Sequence, residues 1–136
     1  MPIQVQGEVL TIRKAGAYFA MTIVAPGMAE LTKPGHFVAL QVGGAVSSML
    51  LRRAFAVYDV KERGVFGGTV DIVFAVHGKG TAWLSVRRPG DKIDIVGPLG
   101  KPFRLPTTKA NATLVAGGYG AAPLLPLAAA LRERGC

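Results

Sequence analysis

Apolar and polar side chains alternate through most of the first hundred residues. In residues 3–9 an apolar side chain or a glycine occupies every second position, which is the period of a half-buried β-strand. Five later runs of similar length follow, so the sequence predicts six short strands. They are residues 3–9, Tyr18–Val24, His36–Val42, Ala54–Val60, Thr69–His77 and Lys92–Val96.

Proline and glycine clusters separate these runs. Turns are predicted at residues 25–28, at 33–35 and at 88–91, and Arg63-Gly64 with residues 67–68 predicts a hairpin loop. Only one short helix, Gly80–Val86, interrupts the strands. Six strands joined by turns, with no long helix between them, predict a small antiparallel barrel or sandwich.

The pattern changes after a proline-rich connector. Ala112–Ala116 is a continuous apolar run, typical of a strand buried on both faces of a parallel sheet. A glycine loop follows at once, and Ala121–Arg134 predicts a helix. The predicted organisation is a barrel over residues 1–98, a connector over 99–110 and the incomplete start of a nucleotide-binding domain over 111–136. Because a lone β–α unit cannot build a sheet, we expect residues 114–131 to pack on the barrel or on another chain, or to be poorly ordered.

Composition excludes several classes of function. The chain has 16 basic and 8 acidic residues among 136, but the basic residues are scattered in pairs and no aromatic-rich segment accompanies them. We therefore expect no nucleic-acid partner, and an anionic dinucleotide or an acidic protein explains the charge equally well. Glycines and prolines break the longest apolar stretch, and the N-terminus lacks the pattern of a signal peptide. No membrane span and a cytoplasmic location are expected.

Metal and nucleophile chemistry have little support in the sequence. The single cysteine, Cys136, cannot form an internal disulfide or hold an iron–sulfur cluster alone. No metal-ligand spacing and no arrangement of serine, histidine and aspartate for nucleophilic catalysis is present. We predict no catalytic side chain and no metal ligand in this chain.

Three segments carry candidate ligand-binding residues. Arg53 stands at the start of a predicted strand with Phe55 two residues later, and a guanidinium can bind a pyrophosphate with two parallel hydrogen bonds. The same pattern also suits a strand entry with a solvated arginine pair. The sequence alone leaves both interpretations open.

The second and third segments are glycine loops that precede helices. Gly78 and Gly80 allow close backbone approach to a ligand, and Thr81 is placed to cap the short helix, although a plain capped loop has the same pattern. The neighbouring His77 has no carboxylate or serine partner in the sequence, so a structural role is expected. Gly117-Gly118-Tyr119-Gly120 joins a predicted buried strand to a helix, the setting of a dinucleotide-binding loop.

Taken in order, four motifs resemble those of a known family. They are Leu51–Ala56, Gly78–Leu84, Pro89-Gly90-Asp91 and Gly97–Gly100. Together they resemble the electron-transfer subunit of dihydroorotate dehydrogenase, within the ferredoxin–NADP reductase superfamily. Related subunits of sulfide dehydrogenase and of NADH-dependent ferredoxin:NADP reductase share much of the pattern.

The resemblance implies a fold and a function. The fold would be mainly β, a six-stranded antiparallel Greek-key barrel that binds FAD, followed by the first β–α unit of a Rossmann-like domain. The function would be a flavoprotein oxidoreductase module, as in pyrimidine biosynthesis, that passes electrons between NAD(P) and an iron–sulfur or second flavin partner subunit. Its cofactor-binding residues would be Arg53, Ala54, Phe55, Ala56, Phe74, Ala75, Val76, Gly78, Gly80, Thr81, Gly117, Gly118 and Gly120.

The resemblance also implies individual roles. Arg53 would hold the FAD pyrophosphate, with Gly80 and Thr81 adding phosphate contacts. Phe55 would lie against the isoalloxazine ring, and residues 74–76 would line the ribityl side of the flavin. The glycines of residues 117–120 would face the nicotinamide dinucleotide.

Two positions depart from the family pattern. A serine or threonine is usual at Ala56, where its hydroxyl lies near flavin N5, and a proline is common at Ala54. The chain also lacks the cysteines of a 2Fe–2S centre, so the module is expected to be incomplete for catalysis on its own. A structural subunit that keeps the barrel without using a flavin is therefore the alternative.

Overall fold

A closed barrel of six antiparallel strands forms the first hundred residues of the computed structural model, which describes residues 1–62, 64 and 67–136. Around the barrel the strands follow the order β1-β2-β5-β4-β3-β6. This mainly β architecture confirms the predicted fold class. The strands are β1 (Ile3–Ala15), β2 (Tyr18–Val24), β3 (Phe37–Leu40), β4 (Arg53–Lys61), β5 (Thr69–Phe74) and β6 (Lys92–Leu99).

Helices are short and lie outside the sheet. Helix α1 (Lys79–Ser85) connects β5 to β6, and α2 (Leu124–Glu133) is the last element of the chain. Single 3₁₀ turns occur at Ala29–Leu31 and Gly118–Ala121. No helix in the described part of the chain is long and apolar enough to cross a membrane.

The first strand closes the barrel because it pairs with two partners. Its N-terminal half lies beside β6, with Ile3 opposite Gly97, and its C-terminal half lies beside β2, with Ala15 opposite Tyr18. Gly7 marks the crowded region between these two pairings, since a β-carbon there would stand 2.9 Å from Ile23 Cγ2. Only glycine allows the strands to approach this closely.

The inward face of every strand fills the barrel with aliphatic and aromatic side chains. Leu84 of α1 joins this core and is fully buried, so the short helix is anchored to the barrel. Small barrels are filled by their own side chains and leave no channel. The strand residues of the core include Val9, Met21, Ile23, Val38, Leu40, Phe55, Val57, Val70, Ile72, Phe74, Ile93 and Ile95.

Several strands begin or end at residues other than those predicted. The third strand is shorter than predicted, and β5 ends at Phe74 instead of His77. Strand β6 continues to Leu99, one residue past the predicted end of the barrel region. The predicted hairpin loop includes Arg63, which lies outside the described residues.

The prediction of a strand at 112–116 is wrong. These residues are exposed, and none belongs to a strand of the structure. A β-strand is stabilised by hydrogen bonds to a neighbour, and no described residue pairs with this segment. The helix predicted from Ala121 begins at Leu124, after the 3₁₀ turn.

The C-terminal helix packs on the barrel. Helix α2 lies against β4, and Ala122, Leu127 and Leu131 are buried. The Arg134 guanidinium Nη1 donates to the Pro106 carbonyl at 3.0 Å, which ties the end of the helix to the connector. The expectation that this region packs on the barrel is thus met by the helix.

Candidate functional site

A cavity of about 360 Å³ opens where β4, β5, α1 and the loop before α2 meet. This volume lies within the range of ligand pockets in proteins. Segments far apart in sequence form its wall. The lining residues are Arg53, Ala54, Phe55, Ala56, Val73, Phe74, Ala75, His77, Thr81, Tyr119, Gly120, Ala122 and Pro123.

Most of the residues that the sequence singled out line this one cavity. Those in the wall are Arg53, Ala54, Phe55, Ala56, Phe74, Ala75, Thr81 and Gly120. Those outside the wall are Val76, Gly78, Gly80, Gly117 and Gly118. The structure therefore brings the arginine segment, the β5 segment and part of the glycine loop to one place.

The two consecutive arginines have different partners. Arg52 Nη2 lies 2.6 Å from Asp94 Oδ1, and its Nη1 donates to the Asp94 carbonyl at 3.3 Å. Arg53 Nη1 donates to the Leu51 carbonyl at 2.5 Å. Among the described residues no carboxylate forms an ion pair with Arg53. Its positive charge is therefore available to an anionic ligand.

Gly80 lies directly against the Arg53 side chain. A β-carbon on Gly80 would stand 2.6 Å from Arg53 Nε and 3.1 Å from its Cζ. Gly80 is buried in the first turn of α1, so the helix backbone supports the guanidinium from one side. The glycine predicted to contact a phosphate thus contacts the arginine predicted to bind that phosphate.

Thr81 stabilises the first turn of α1, but it is not the N-cap residue of the helix. Gly78 occupies the N-cap position and makes no side-chain capping bond. Thr81 lies three residues further, and its Oγ1 accepts a hydrogen bond from the His77 backbone N–H at 2.6 Å. A threonine at this position can reach back across the first turn, as in a capping box. This bond places the end of the β5 segment against the helix.

Aromatic rings form the apolar floor of the cavity. Phe74 is stacked on Phe19 with centroids 5.6 Å apart, and it meets Phe55 at 5.8 Å with a tilt of 59°. Phe55 is 9% exposed and Phe74 is 2% exposed. These rings are fixed by the barrel core, so the floor is rigid.

Ala54 and Ala56 present only methyl groups on the β4 side of the cavity. Ala56 lies opposite Phe37 of β3, and Ala54 lies opposite Ala39. Neither residue can donate a hydrogen bond from its side chain. This part of the wall is apolar and smooth.

His77 and Tyr119 are two aromatic lining residues that the sequence did not assign to a ligand. Their rings are in contact, with centroids 6.1 Å apart and planes inclined at 61°. Each lies in the sequence next to a glycine that is a predicted ligand contact, and this is the one sequence signal that could have identified it. Val73, Ala122 and Pro123 also line the cavity and carried no such signal.

The charge of the cavity wall is positive. Arg53 is its cation, and no aspartate or glutamate is among the lining residues. The titratable groups with altered pKa lie elsewhere: burial raises the pKa of Asp71, and burial beside Lys33 lowers the pKa of His36. The described residues contain no group of three or more histidine, cysteine, aspartate or glutamate side chains that could hold a metal ion. An apolar floor with one guanidinium suits a flat ligand that carries an anionic group.

Known structures share this arrangement of the fold. The structure of the NADH-dependent reduced ferredoxin–NADP oxidoreductase superposes with a TM-score of 0.81 and 34% identity, covering 96% of this chain and 45% of that one. Phthalate dioxygenase reductase superposes with a TM-score of 0.76 at 19% identity over 97% of this chain and 40% of its own. The second likeness concerns the fold alone. The fold is therefore that of the ferredoxin reductase-like barrels.

Sequence comparison is more specific. The chain is 38% identical over 118 residues to the electron transfer subunit of dihydroorotate dehydrogenase B (NAD(+)) from Desulforamulus reducens, covering 87% of this chain and 44% of that protein. It is 37% identical over 119 residues to the same subunit from Geobacillus thermodenitrificans, covering 86% and 45%. No family model matches the chain. The resemblance to the dihydroorotate dehydrogenase electron-transfer subunit, within the ferredoxin–NADP reductase superfamily, is therefore confirmed, and the chain spans less than half the length of these relatives.

Proposed function

We propose that this chain is the FAD-binding module of an NAD(P)H-linked electron-transfer protein. The observation that carries the proposal is the cavity of about 360 Å³, where the Arg53 guanidinium has no ion-pair partner among the described residues and stands beside an apolar floor. The named relatives and the bifurcating oxidoreductase structure support electron transfer as the purpose of such a site.

The residues present fit a flavin dinucleotide. Arg53 would bind the pyrophosphate, and Gly80 leaves the space that the guanidinium occupies, because any β-carbon there would meet Arg53 Nε at 2.6 Å. Thr81 would add a hydroxyl contact near the phosphates. Phe55 and Ala56 would lie along the isoalloxazine ring, and Phe74 with Ala75 along the ribityl chain. Val76 and Gly78 follow in the chain and complete the proposed contact segment.

The chemistry of the reaction would belong to the bound flavin, which accepts a hydride and releases electrons singly. The protein's own contribution is position and electrostatics. Arg53 would fix the pyrophosphate of the ligand, the aromatic floor would exclude water, and Ala56 would place no hydrogen-bond donor against the isoalloxazine ring. Besides Arg53, the lining residues whose side chains can form hydrogen bonds are His77, Thr81 and Tyr119.

The complete assembly needs parts from outside the described chain. We propose that Gly117, Gly118 and Gly120 face a nicotinamide dinucleotide. We also propose a partner subunit that carries an iron–sulfur cluster or a second flavin. The relatives are named as subunits of a larger enzyme, which supports the existence of a partner. A dihydroorotate dehydrogenase complex is the proposed context. The 2Fe–2S centre would not be bound by the residues of this chain.

A second candidate is a structural subunit that keeps the barrel but uses no flavin. The observation that favours it is Ala56, which offers no hydroxyl to a flavin ring. This alternative gives no role to the Arg53 guanidinium, which has no ion-pair partner among the described residues.

Titration of the purified chain with FAD, FMN and riboflavin separates these candidates. If Arg53 anchors the pyrophosphate, FAD binds more tightly than FMN, and riboflavin binds most weakly. The bound flavin gives a visible absorption band that survives gel filtration. A colourless protein with no measurable affinity for any of the three flavins would rule out the flavin-binding module and leave the structural alternative.

A further inference from the structure

Tyr119 is held over the cavity by two aromatic rings of the barrel. Its ring centroid lies 6.0 Å from that of Tyr18 with planes at 75°, and 6.1 Å from that of His77 with planes at 61°. Edge-to-face pairs of this separation are the favoured arrangement of aromatic rings. Tyr18 begins β2 and His77 lies between β5 and α1, so a strand and a separate connecting segment position one side chain of the loop before α2.

The backbone of this loop is also fixed. The 3₁₀ turn Gly118–Ala121 is held by bonds from Gly120 N–H to the Gly117 carbonyl at 3.1 Å and from Ala122 N–H to the Tyr119 carbonyl at 3.1 Å. A β-carbon on Gly118 would lie 3.2 Å from the Tyr18 hydroxyl oxygen. The loop therefore rests on Tyr18 through both its backbone and the Tyr119 ring.

Tyr119 offers far more accessible aromatic surface than the two phenylalanines of the cavity wall. Its side chain is 48% exposed, whereas Phe55 is 9% exposed and Phe74 is 2% exposed. On β4 the lining includes the methyl groups of Ala54 and Ala56, which can lie flat against a planar ligand but cannot stack on it. A planar ligand on β4 would have the exposed ring of Tyr119 as an aromatic neighbour.

We propose that Tyr119 is a positioning residue that contacts the isoalloxazine ring of the bound flavin, and that Tyr18 and His77 hold it there. The inference rests on the proposed function and adds a residue to it. Tyr119 would enclose the ring between the loop and β4, which stabilises the bound flavin by aromatic contact and by exclusion of water. His77 thereby has a role through Tyr119, without a role in proton transfer.

Flavin fluorescence tests the contact directly. A phenol ring in contact with an excited isoalloxazine ring quenches its fluorescence by electron transfer, whereas a phenyl ring is a much poorer donor. In Tyr119→Phe the aromatic contact remains, so FAD affinity should stay within about twofold, while the lifetime of the bound flavin increases several-fold. In Tyr119→Leu the contact is lost, so the lifetime increases and the affinity also falls by several-fold. Tyr58→Phe is the matched control, since Tyr58 lies on β4 outside the cavity wall, and it should leave both quantities unchanged.

The outcomes separate this inference from the proposed function. If the unmodified chain binds FAD and Tyr119→Phe leaves the lifetime unchanged, Tyr119 does not contact the ring, and the flavin site stands without it. If the unmodified chain binds no FAD, the proposed function itself fails. His77→Leu gives a second measurement: it should change the lifetime in the same direction as Tyr119→Phe, because the Tyr119 ring loses one of its two supports. An unchanged lifetime in His77→Leu would overturn the role given to His77.

Discussion

The Arg53 guanidinium rests on Gly80, with the position of a Gly80 β-carbon only 2.6 Å from Arg53 Nε. One residue begins β4 and the other lies in α1, so a strand and a helix jointly fix a single positive charge. The neighbouring Arg52 already has an ion-pair partner, because its Nη2 lies 2.6 Å from Asp94 Oδ1. This difference makes the two arginines a matched pair for experiment.

Replacing Arg53 with alanine should weaken FAD binding strongly while leaving the fold intact. A hydrogen bond to a charged group contributes about 1.5–3 kcal/mol, so the dissociation constant should rise roughly 10- to 100-fold. Arg52→Ala should instead leave FAD affinity unchanged and lower the free energy of unfolding by about 1 kcal/mol. Equilibrium titration and urea unfolding measure the two effects. Equal losses of affinity in both variants would contradict the assignment of the pyrophosphate to Arg53.

Replacing Gly80 with alanine should displace the Arg53 side chain and reduce FAD affinity by roughly tenfold, which corresponds to about 1.4 kcal/mol. The fold should tolerate the change, because alanine favours a helix over glycine by about 1 kcal/mol. Gly117→Ala is the control, since nothing lies within 4 Å of its added β-carbon and its φ is −135°. FAD titration and thermal unfolding are the measurements. Unchanged affinity in Gly80→Ala would show that Arg53 does not need its present position.

Replacing Asp71 with asparagine should stabilise the protein at neutral pH. Burial, and to a smaller extent the facing Asp59, raise the pKa of Asp71 above its usual 3.8. The ionised form of Asp71 is thus disfavoured in the folded state, so ionisation lowers the free energy of unfolding. This loss is absent below pH 3.8, grows as the pH rises through the folded pKa, and is constant at higher pH. The variant should therefore exceed the unmodified protein in free energy of unfolding at pH 7, and the difference should vanish as the pH falls below 3.8.

Asp59→Asn is the companion variant for this pH series. It removes the like charge but not the burial, so its gain at pH 7 should be smaller than that of Asp71→Asn. Urea unfolding at several pH values provides the comparison. A difference between Asp71→Asn and the unmodified protein that stayed constant across the pH range would show that ionisation of Asp71 is not its cause.

Replacing Leu84 with alanine should destabilise the barrel by about 2–5 kcal/mol, since the side chain is fully buried in the core. Val86 lies two residues away and is 64% exposed, so Val86→Ala should change the free energy of unfolding by no more than about 0.5 kcal/mol. Urea unfolding of both variants is the measurement. A loss of similar size in the two variants would mean that α1 is not anchored through Leu84.

Sequence periodicity predicted the barrel well because each strand carries its own signal. The run Tyr18–Val24 was predicted with the limits that β2 has in the structure. Strand ends were less well predicted, since Ala75 and Val76 continue the apolar pattern of β5 without pairing to a neighbour. The run 112–116 has the composition of a buried strand, but composition cannot supply a pairing partner.

The candidate site was only partly predictable. Arg53 follows from its place before a strand, yet the choice between Arg52 and Arg53 depends on Asp94, which lies 41 residues after Arg53 and cannot be paired with Arg52 from spacing. The contact between His77 and Tyr119 joins two loops that have no local pattern in common. Such contacts depend on how the barrel closes, which is a property of the whole chain.

The pairing of the first strand with the last has a consequence for how the chain folds. Ile3 lies opposite Gly97, so no closed barrel exists until almost a hundred residues have left the ribosome. At roughly 5–20 residues per second, β1 waits on the order of 5–20 s for its second neighbour. Topologies dominated by such distant pairings also fold slowly, in milliseconds to seconds. The nascent chain therefore depends on β2 and on its own polar side chains to keep the free edge of β1 from pairing with another molecule.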